Sequence, residues 1–469
     1  MAGFSKKDEQ YRHYALTAPP VKVLMSACMP LALYQALQSV FKIFDALLAS
    51  YIGAEAVSAV SCLSQITLMI TALGSGLAIG GSIKISEAYG RGDDVMVRQR
   101  VATVYAMAVA VSLVVVGTLI PFATPFLRLL KTPEDLIATG KGYFQVEILT
   151  LVVTFFNTVY IAIERSRGHA KKILNLNLVI ILVKLGLSAL FVFVMHGGLV
   201  HIALATLAGQ VIILAYALIT MPKDEGAFRF SMKNIRMKKD TVGPLLNLAY
   251  PVSAEKMFFA AGKVVVNSMS GVYGALTVGA LGISNNIGGL TTSWHMGFTD
   301  GTAPLISQNR GAGNYRRTLQ IYFWLLGIDV AIGLIGLGLV SAALPWLANV
   351  FAQSQNNFDA AFRDMIVDIH RWEMLGYITL GINSATLALL LGYGYTKLTM
   401  ILNVSRVFVF RVPVLWFLQR FTQMDAEAVG VTMMVSNVCT GLLAIVLAIP
   451  VLCEIRKLIR EEEINSAEV

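Results

Sequence analysis

Twelve long apolar runs, separated by short polar breaks, constrain this chain more than any other feature of its sequence. They fall near residues 24–50, 55–83, 101–126, 137–164, 173–195, 199–221, 245–270, 275–305, 318–348, 364–391, 398–419 and 428–453. About 20 apolar residues make a helix long enough to cross the hydrocarbon core of a bilayer. A backbone in lipid must satisfy its own hydrogen bonds, so each run is expected to be a helix. Composition agrees, with 56% hydrophobic and only 14% charged residues, against about 25% charged in a soluble domain. These figures exclude a soluble enzyme, a disulfide scaffold and a disordered regulator.

The net charge is +9, from 37 Lys and Arg against 28 Asp and Glu. In a membrane protein such an excess marks cytoplasmic loops rather than nucleic-acid binding. With the N-terminus inside, the inside segments hold most loop cations, among them Lys6, Lys7, Arg12, Arg91, Arg98, Arg165, Arg167, Lys233, Arg236 and Lys238. The outside loops hold few, chiefly Arg128, Lys131, Arg363 and Arg420. Both termini are therefore expected in the cytoplasm of a multi-pass protein of the cell membrane. Cys28, Cys62, Cys439 and Cys453 lie in or beside apolar runs and form no C-x-x-C, so reduced thiols are expected. The polar first twenty residues contain no apolar signal core.

The longest polar break divides the runs six and six. The expected organisation is an N-terminal segment 1–23, a first lobe 24–221, a basic linker 222–244, a second lobe 245–453 and a tail 454–469. A constant shift of 221 matches Pro30 to Pro251, Gly53 to Gly274, Gly76 to Gly297 and Gly80 to Gly301. It goes on through Ile85 and Ile306, Ser86 and Ser307, Gly90 and Gly311, and Gly92 and Gly313. Such ungapped agreement reads as duplication. Six is even, so both halves insert with one orientation, as parallel repeats that place a substrate path at their interface.

The first half contains Val40-Phe41-Lys42-Ile43-Phe44-Asp45 and Tyr51-Ile52-Gly53-Ala54-Glu55-Ala56. The second contains Tyr273-Gly274-Ala275-Leu276-Thr277-Val278-Gly279-Ala280 and the turn Gln308-Asn309-Arg310-Gly311-Ala312-Gly313-Asn314. Arg165-Ser166-Arg167-Gly168 and Gly392-Tyr393-Gly394 precede Lys171 and Lys397. Over nearly its whole length the chain resembles the multidrug and toxic compound extrusion (MATE) family of the multidrug/oligosaccharidyl-lipid/polysaccharide exporter superfamily. The resemblance implies an all-α membrane protein with twelve transmembrane helices in two six-helix lobes around a V-shaped cleft. It implies antiport of small organic compounds against a proton or sodium gradient by alternating access, with no cofactor, no enzymatic activity and a monomeric state. A flippase for an anionic lipid-linked precursor and a non-transporting receptor are the alternatives.

Ionisable groups inside spans are costly and mark function by default. Gln35, Gln38, Lys42 and Asp45 share one helix face by their spacing of 3, 4 and 3. Asp45 sits where the family keeps a coupling acid on its first helix, and its other reading is an ion pair with Lys42. Where relatives carry Asn and Asp on the fifth helix, this chain has Lys184 and Ser188. Lys184 then becomes a candidate counter-ion of Asp45. The shift of 221 relates Lys42 to Lys263 and Gln35 to Lys256. Lys42 and Lys263 either meet an anionic substrate or neutralise nearby acids, Asp45 and Asp300 respectively. Glu255, Asp300 and His295 complete the candidates, with Asp45, Lys184, Glu255 and Asp300 assigned to ion coupling. Gln35, Gln38, Lys42, Lys256, Lys263 and His295 are assigned to the substrate cleft. Asp329 and Glu147 are read as lone acids in packing or pairing. The tenth-span acids Asp364, Asp368 and Glu373 are placed toward its outer end, and His370, Arg371 and Glu373 are read as an interfacial polar cluster. Arg406 and Arg411 either hold the second lobe together or snorkel. Pro30, Pro251, Pro304 and Pro413 are expected to interrupt their helices.

Overall fold

The computed structural model describes residues 3–52, 54–129, 134–353 and 360–467, with side chains described throughout except at 42–66, 126–127, 129–140, 199, 275, 351–353 and 466–467. The described chain is helical with no strand. Its helices are α1 (Lys6–Thr17), α2 (Pro20–Ile52), α3 (Ala54–Arg91), α4 (Asp94–Leu119), α5 (Ala123–Leu129), α6 (Glu134–Ser166), α7 (Ala170–Ala189) and α8 (Leu199–Thr220). The second half supplies α9 (Lys239–Ser270), α10 (Ala275–Gly311), α11 (Tyr315–Gln353), α12 (Ala360–Glu373), α13 (Tyr377–Tyr393), α14 (Thr396–Ser405), α15 (Val412–Phe421) and α16 (Glu427–Ala467). The backbone widens into π-helical turns at Leu190–Val194 and Arg406–Arg411.

Ten of the described helical segments are long and apolar enough to cross a membrane. The remaining two expected spans are α9 and α10, 32 and 37 residues long. Length is sufficient in both, and polarity sets them apart. Helix α9 carries Glu255, Lys256 and Lys263, and α10 carries His295, Asp300 and a run of Ser, Thr and Asn. Pro30, Pro251 and Pro304 lie inside continuous helices rather than ending them. Pro413 does mark a break, at the start of α15 just after the second π turn. Proline clashes with the carbonyl four residues before it, and a widened turn relieves that clash.

The chain forms two compact units, one of Met1–Ala15 with Val40–Met257 and one of Leu16–Ser39 with Phe258–Val469. The lead helix of each repeat is thus shared between units, and glycines show how each unit accepts its part. In the first unit, a Cβ on Gly76 of α3 would lie 2.1 Å from Ser253 Oγ and 2.6 Å from the Ala249 carbonyl of α9. In the second unit, a Cβ on Gly297 of α10 would lie 2.2 Å from Ala32 Cα of α2, and one on Gly301 would lie 3.0 Å from Cys28 Cα. The shift of 221 maps Gly76 onto Gly297, Cys28 onto Ala249 and Ala32 onto Ser253. The same backbone-to-backbone contact is therefore built twice. Small residues allow it, and close packing supplies the attraction that apolar burial cannot supply between helices in lipid.

The repeat also closes its second helices alike. Gly92 and Gly313 follow α3 and α10 with φ of 81° and 80°. The next amides, of Asp93 and Asn314, return to the carbonyls of Ala88 and Asn309 at 3.0 and 2.9 Å. This left-handed cap satisfies carbonyls that the helix end would leave open, and glycine adopts it without strain. In the first unit, Tyr89, Val101, Tyr160, Ile163 and Phe228 belong to one buried core. In the second, Val266, Leu281, Val407, Leu415 and Met433 form another.

Candidate functional site

The second unit gathers α2, α10, α11, α12 and α13 around polar side chains that a lipid-facing helix would not carry. Gln35 of α2 donates through Nε2 to Asp300 Oδ2 at 3.2 Å. One turn further along α2, Ser39 hydrogen-bonds Ser293 of α10. Two turns before Gln35, Cys28 meets Thr302 Oγ1 at 3.3 Å. Gln35, assigned to the cleft, and Asp300, assigned to coupling, are thus joined, and both are half-buried.

His295 is only 3% exposed. Its Nδ1 lies 2.8 Å from Asp329 Oδ1 on α11. Its carbonyl accepts from Ser384 Oγ of α13 at 3.0 Å and from Thr299 at 3.1 Å, and Thr299 and Ser384 hydroxyls pair at 2.6 Å. Asp329 is fully buried, and its Oδ2 and the His295 Nε2 have no hydrogen-bond partner among the described residues. A carboxylate with an open oxygen beside an imidazole with an open nitrogen can hold and release a proton. A Cβ on Gly381 would lie 2.5 Å from the Asp329 carbonyl and 3.2 Å from His295 Cε1. Glycine there lets three helices close on the pair.

A second network lies on α10, α12 and α13. Tyr377 Oη is 2.8 Å from His370 Nε2, Ser284 Oγ is 2.8 Å from His370 Nδ1, and Ser284 donates to Glu373 Oε2 at 2.5 Å. The ionised carboxylate needs the Ser284 proton, so the hydroxyl accepts from Nδ1–H and Nε2 accepts from Tyr377. The bonds run in one direction, from Tyr377 through His370 and Ser284 to Glu373. This corrects the expected interfacial cluster: His370 is fully buried and Glu373 nearly so, while Arg363 and Asp364 pair at 2.6 Å on the exposed part of α12. The split follows helix periodicity, because residues 366, 369, 370 and 373 face inward on α12 and 364 and 371 face outward.

The other candidates are spread more widely. Lys263 is exposed on α9, its ammonium 5.3 Å from the Phe259 ring centre. Gln38 is half-buried on α2, and Glu255 and Lys256 are half-buried on the part of α9 that belongs to the first unit. Lys184 is half-buried on α7 and interacts electrostatically with Glu147 of α6. Lys42 and Asp45 lie on α2, with side chains outside the described residues.

In the first unit, cations that read from the sequence as topology charge build a buried cluster. Arg167, in the turn between α6 and α7, donates to Asp8 Oδ1 at 3.0 Å, to Asp224 Oδ1 at 3.1 Å and to Glu164 Oε1 at 3.4 Å. It also lies 4.8 Å from the Phe228 ring centre. Burial works to lower the guanidinium pKa, but Asp224, Glu164 and Asp8 outweigh it and raise the value. His169 and Lys172 reach the second Glu164 oxygen at 2.6 and 3.1 Å. Through Asp8, and through Arg12 on the Gly90 carbonyl at 3.1 Å, α1 is tied to both glycine turns of this unit. The Tyr11 ring fills the space that a side chain at Gly168 would need. The acidic pairs Asp8-Glu9 and Asp224-Glu225, set in otherwise basic segments, are the signal the sequence offers.

Parallel six-helix repeats with hydrogen-bonded ionisable groups buried in their spans define a membrane transporter rather than an anchor. The MatE family model matches residues 30–190 and 251–417, once in each repeat. The chain belongs to this family. It is 22% identical over 413 residues to the "Probable multidrug resistance protein YoeA" of Bacillus subtilis, covering 86% of this chain and 88% of that protein. It is 20% identical over 307 residues to the multidrug export protein MepA of Staphylococcus haemolyticus, covering 65% and 67%. Among solved structures, the fold matches that of a MATE transporter in complex with MaL6, with a TM-score of 0.90 at 18% identity, covering 97% of this chain and 100% of that one. It also matches a MOP superfamily transporter from Pyrococcus furiosus, with a TM-score of 0.89 at 18% identity, covering 97% and 99%. The two-lobe, all-helical class read from the sequence is that of this family.

Proposed function

We propose that the protein is a secondary active exporter that moves small organic compounds out of the cell in exchange for protons, by alternating access. The observation that carries this reading is the His295–Asp329 pair, buried and hydrogen-bonded at 2.8 Å, with one open polar atom on each partner. Proton binding changes the charge of a pair packed between α10, α11 and α13. A change in charge alters the cost of burial, which is the differential free energy needed to shift a conformational equilibrium. The names of YoeA and MepA support organic cargo. In this reading the protein works as a monomer in the cell membrane, with both termini cytoplasmic.

Reconstitution into sealed proteoliposomes tests it, with proton and sodium gradients imposed separately. A proton gradient alone is expected to drive uptake of a fluorescent organic cation. Asp329→Asn, which keeps the hydrogen bond but not the charge, is expected to lose gradient-driven uptake while retaining binding. Asp45→Asn reports whether the first-helix acid shares the role. Full transport driven by sodium alone, or unchanged proton-driven transport in Asp329→Asn, sinks the proposal.

A further inference from the structure

Two arginines lie in the middle of one membrane-crossing segment, and among the described residues neither pairs with a carboxylate. The segment runs from Thr396 to Phe421. Arg406 is ten residues from one end and Arg411 ten from the other, so each is about 15 Å from the nearer end. Arg411 is 3% exposed. Its Nε donates to Ser436 Oγ at 3.1 Å, and Arg406 Nη2 donates to Asn437 Oδ1 at 2.9 Å, both on α16. Arg406 also lies 5.6 Å from the Phe259 ring centre. Arg406 Nε and Arg411 Nη2 are buried with no hydrogen-bond partner among the described residues. Among the described residues Glu373 is the one acid that interacts with either, and it does so without an ion pair; its Oε2 accepts from Ser284 at 2.5 Å.

Backbone geometry puts the two on one face. In an α-helix, residues five apart point about 140° away from each other. Arg406–Arg411 is a π turn, whose hydrogen bonds join residues five apart, and so it stacks its first residue on its last. Both guanidiniums then face Ser436 and Asn437. Irregular turns at mid-span are tolerated in transporters where they line a binding site.

A buried and a half-buried cation that face one carboxylate beyond ion-pair distance leave an excess positive charge in a low-dielectric interior. Buried charges are ordinarily paired, and an unpaired one is strongly unfavourable. We infer that Arg406 and Arg411 form an oxyanion-binding site in the second unit, whose occupant is the carboxylate or phosphate group of a small solute. Arginine is suited to both by its fork of donors. A resident lipid fits less well, because its phosphate stays at the interface, about 15 Å from the bilayer centre. The inference does not depend on the direction or coupling of transport, since binding is measured without a gradient.

The test uses the full chain purified in a neutral detergent, titrated with sodium acetate or sodium phosphate at constant ionic strength and followed by thermal unfolding and calorimetry. Wild type is expected to show a saturable rise in Tm and saturable heat with at least one of them, and none with sodium chloride. Arg406→Gln and Arg411→Gln keep a side chain of similar reach and remove the charge. Each is expected to bind at least about tenfold more weakly, as loss of a charge-assisted hydrogen bond implies. Relief of an unpaired buried charge should leave their anion-free Tm no lower than wild type. Arg411→Lys keeps the charge without the fork and is expected to retain part of the binding, which a purely structural arginine would not show. Absence of saturable binding in wild type overturns the inference, as does unchanged affinity in both Gln variants. A Tm rise with phosphatidic acid micelles alone, and not with the free anions, overturns the solute assignment.

Discussion

At the scale of single residues, the charged groups that matter are those the fold removes from solvent. Arg167 is 5% exposed and is shared by Asp8, Asp224 and Glu164. Arg167→Ala would leave Asp8 buried without its cation and Glu164 with only Lys172 and His169, and breaking such a cluster costs about 3–5 kcal/mol. The expected outcome is a large fall in Tm, together with fast amide exchange in α1, which Asp8 anchors. Arg167→Lys is expected to recover only part, because an ammonium cannot fork to three carboxylates. In the sequence His295 stands out as an ionisable group in a span and Asp329 as a lone acid. Their pairing joins residues 34 positions apart on different helices, and no spacing rule connects them. Glu373 reads as interfacial for a related reason: its neighbours in sequence are polar, and only helix rotation separates the inward face from the outward one.

At the scale of helices, glycine and proline carry the predictions. Gly297→Val places atoms against the Ala32 backbone, which cannot yield as a flexible side-chain tip does. A loss of about 1–3 kcal/mol, typical of overpacking, is expected in thermal unfolding. Gly76→Val should behave alike against α9. Gly338→Val, with open space around it, serves as the control. These glycines were visible as a repeat, but their partners were not. Pro413 has a different effect. Pro413→Ala restores the missing N–H and removes the clash behind the widened turn, so the Arg406–Arg411 segment is expected to relax toward an α-helix. The two guanidiniums then diverge. Acetate and phosphate binding should weaken while Tm holds or rises.

At the scale of the whole molecule, topology is the quantity most directly open to measurement. Cytoplasmic termini require the 222–244 segment to be inside. A single cysteine at Lys233 or Asn465 should react with an impermeant maleimide in inside-out vesicles and not in intact cells. Labelling from outside would overturn the orientation argued from Lys and Arg. The class of protein, the helix positions, the twofold repeat and the scarcity of charge within spans were all determined by the sequence alone. Each depends on local or periodic properties, namely apolar length, a constant shift of 221 and residue type, which a linear chain displays. The tertiary structure alone decided which ionisable groups meet, how the lead helix of each repeat is divided between the compact units, and that Arg406 and Arg411 share a face. Those outcomes depend on helix rotation, on backbone contact at glycines and on one π turn. Each sums small packing terms over residues far apart in sequence, and such sums leave no periodic trace.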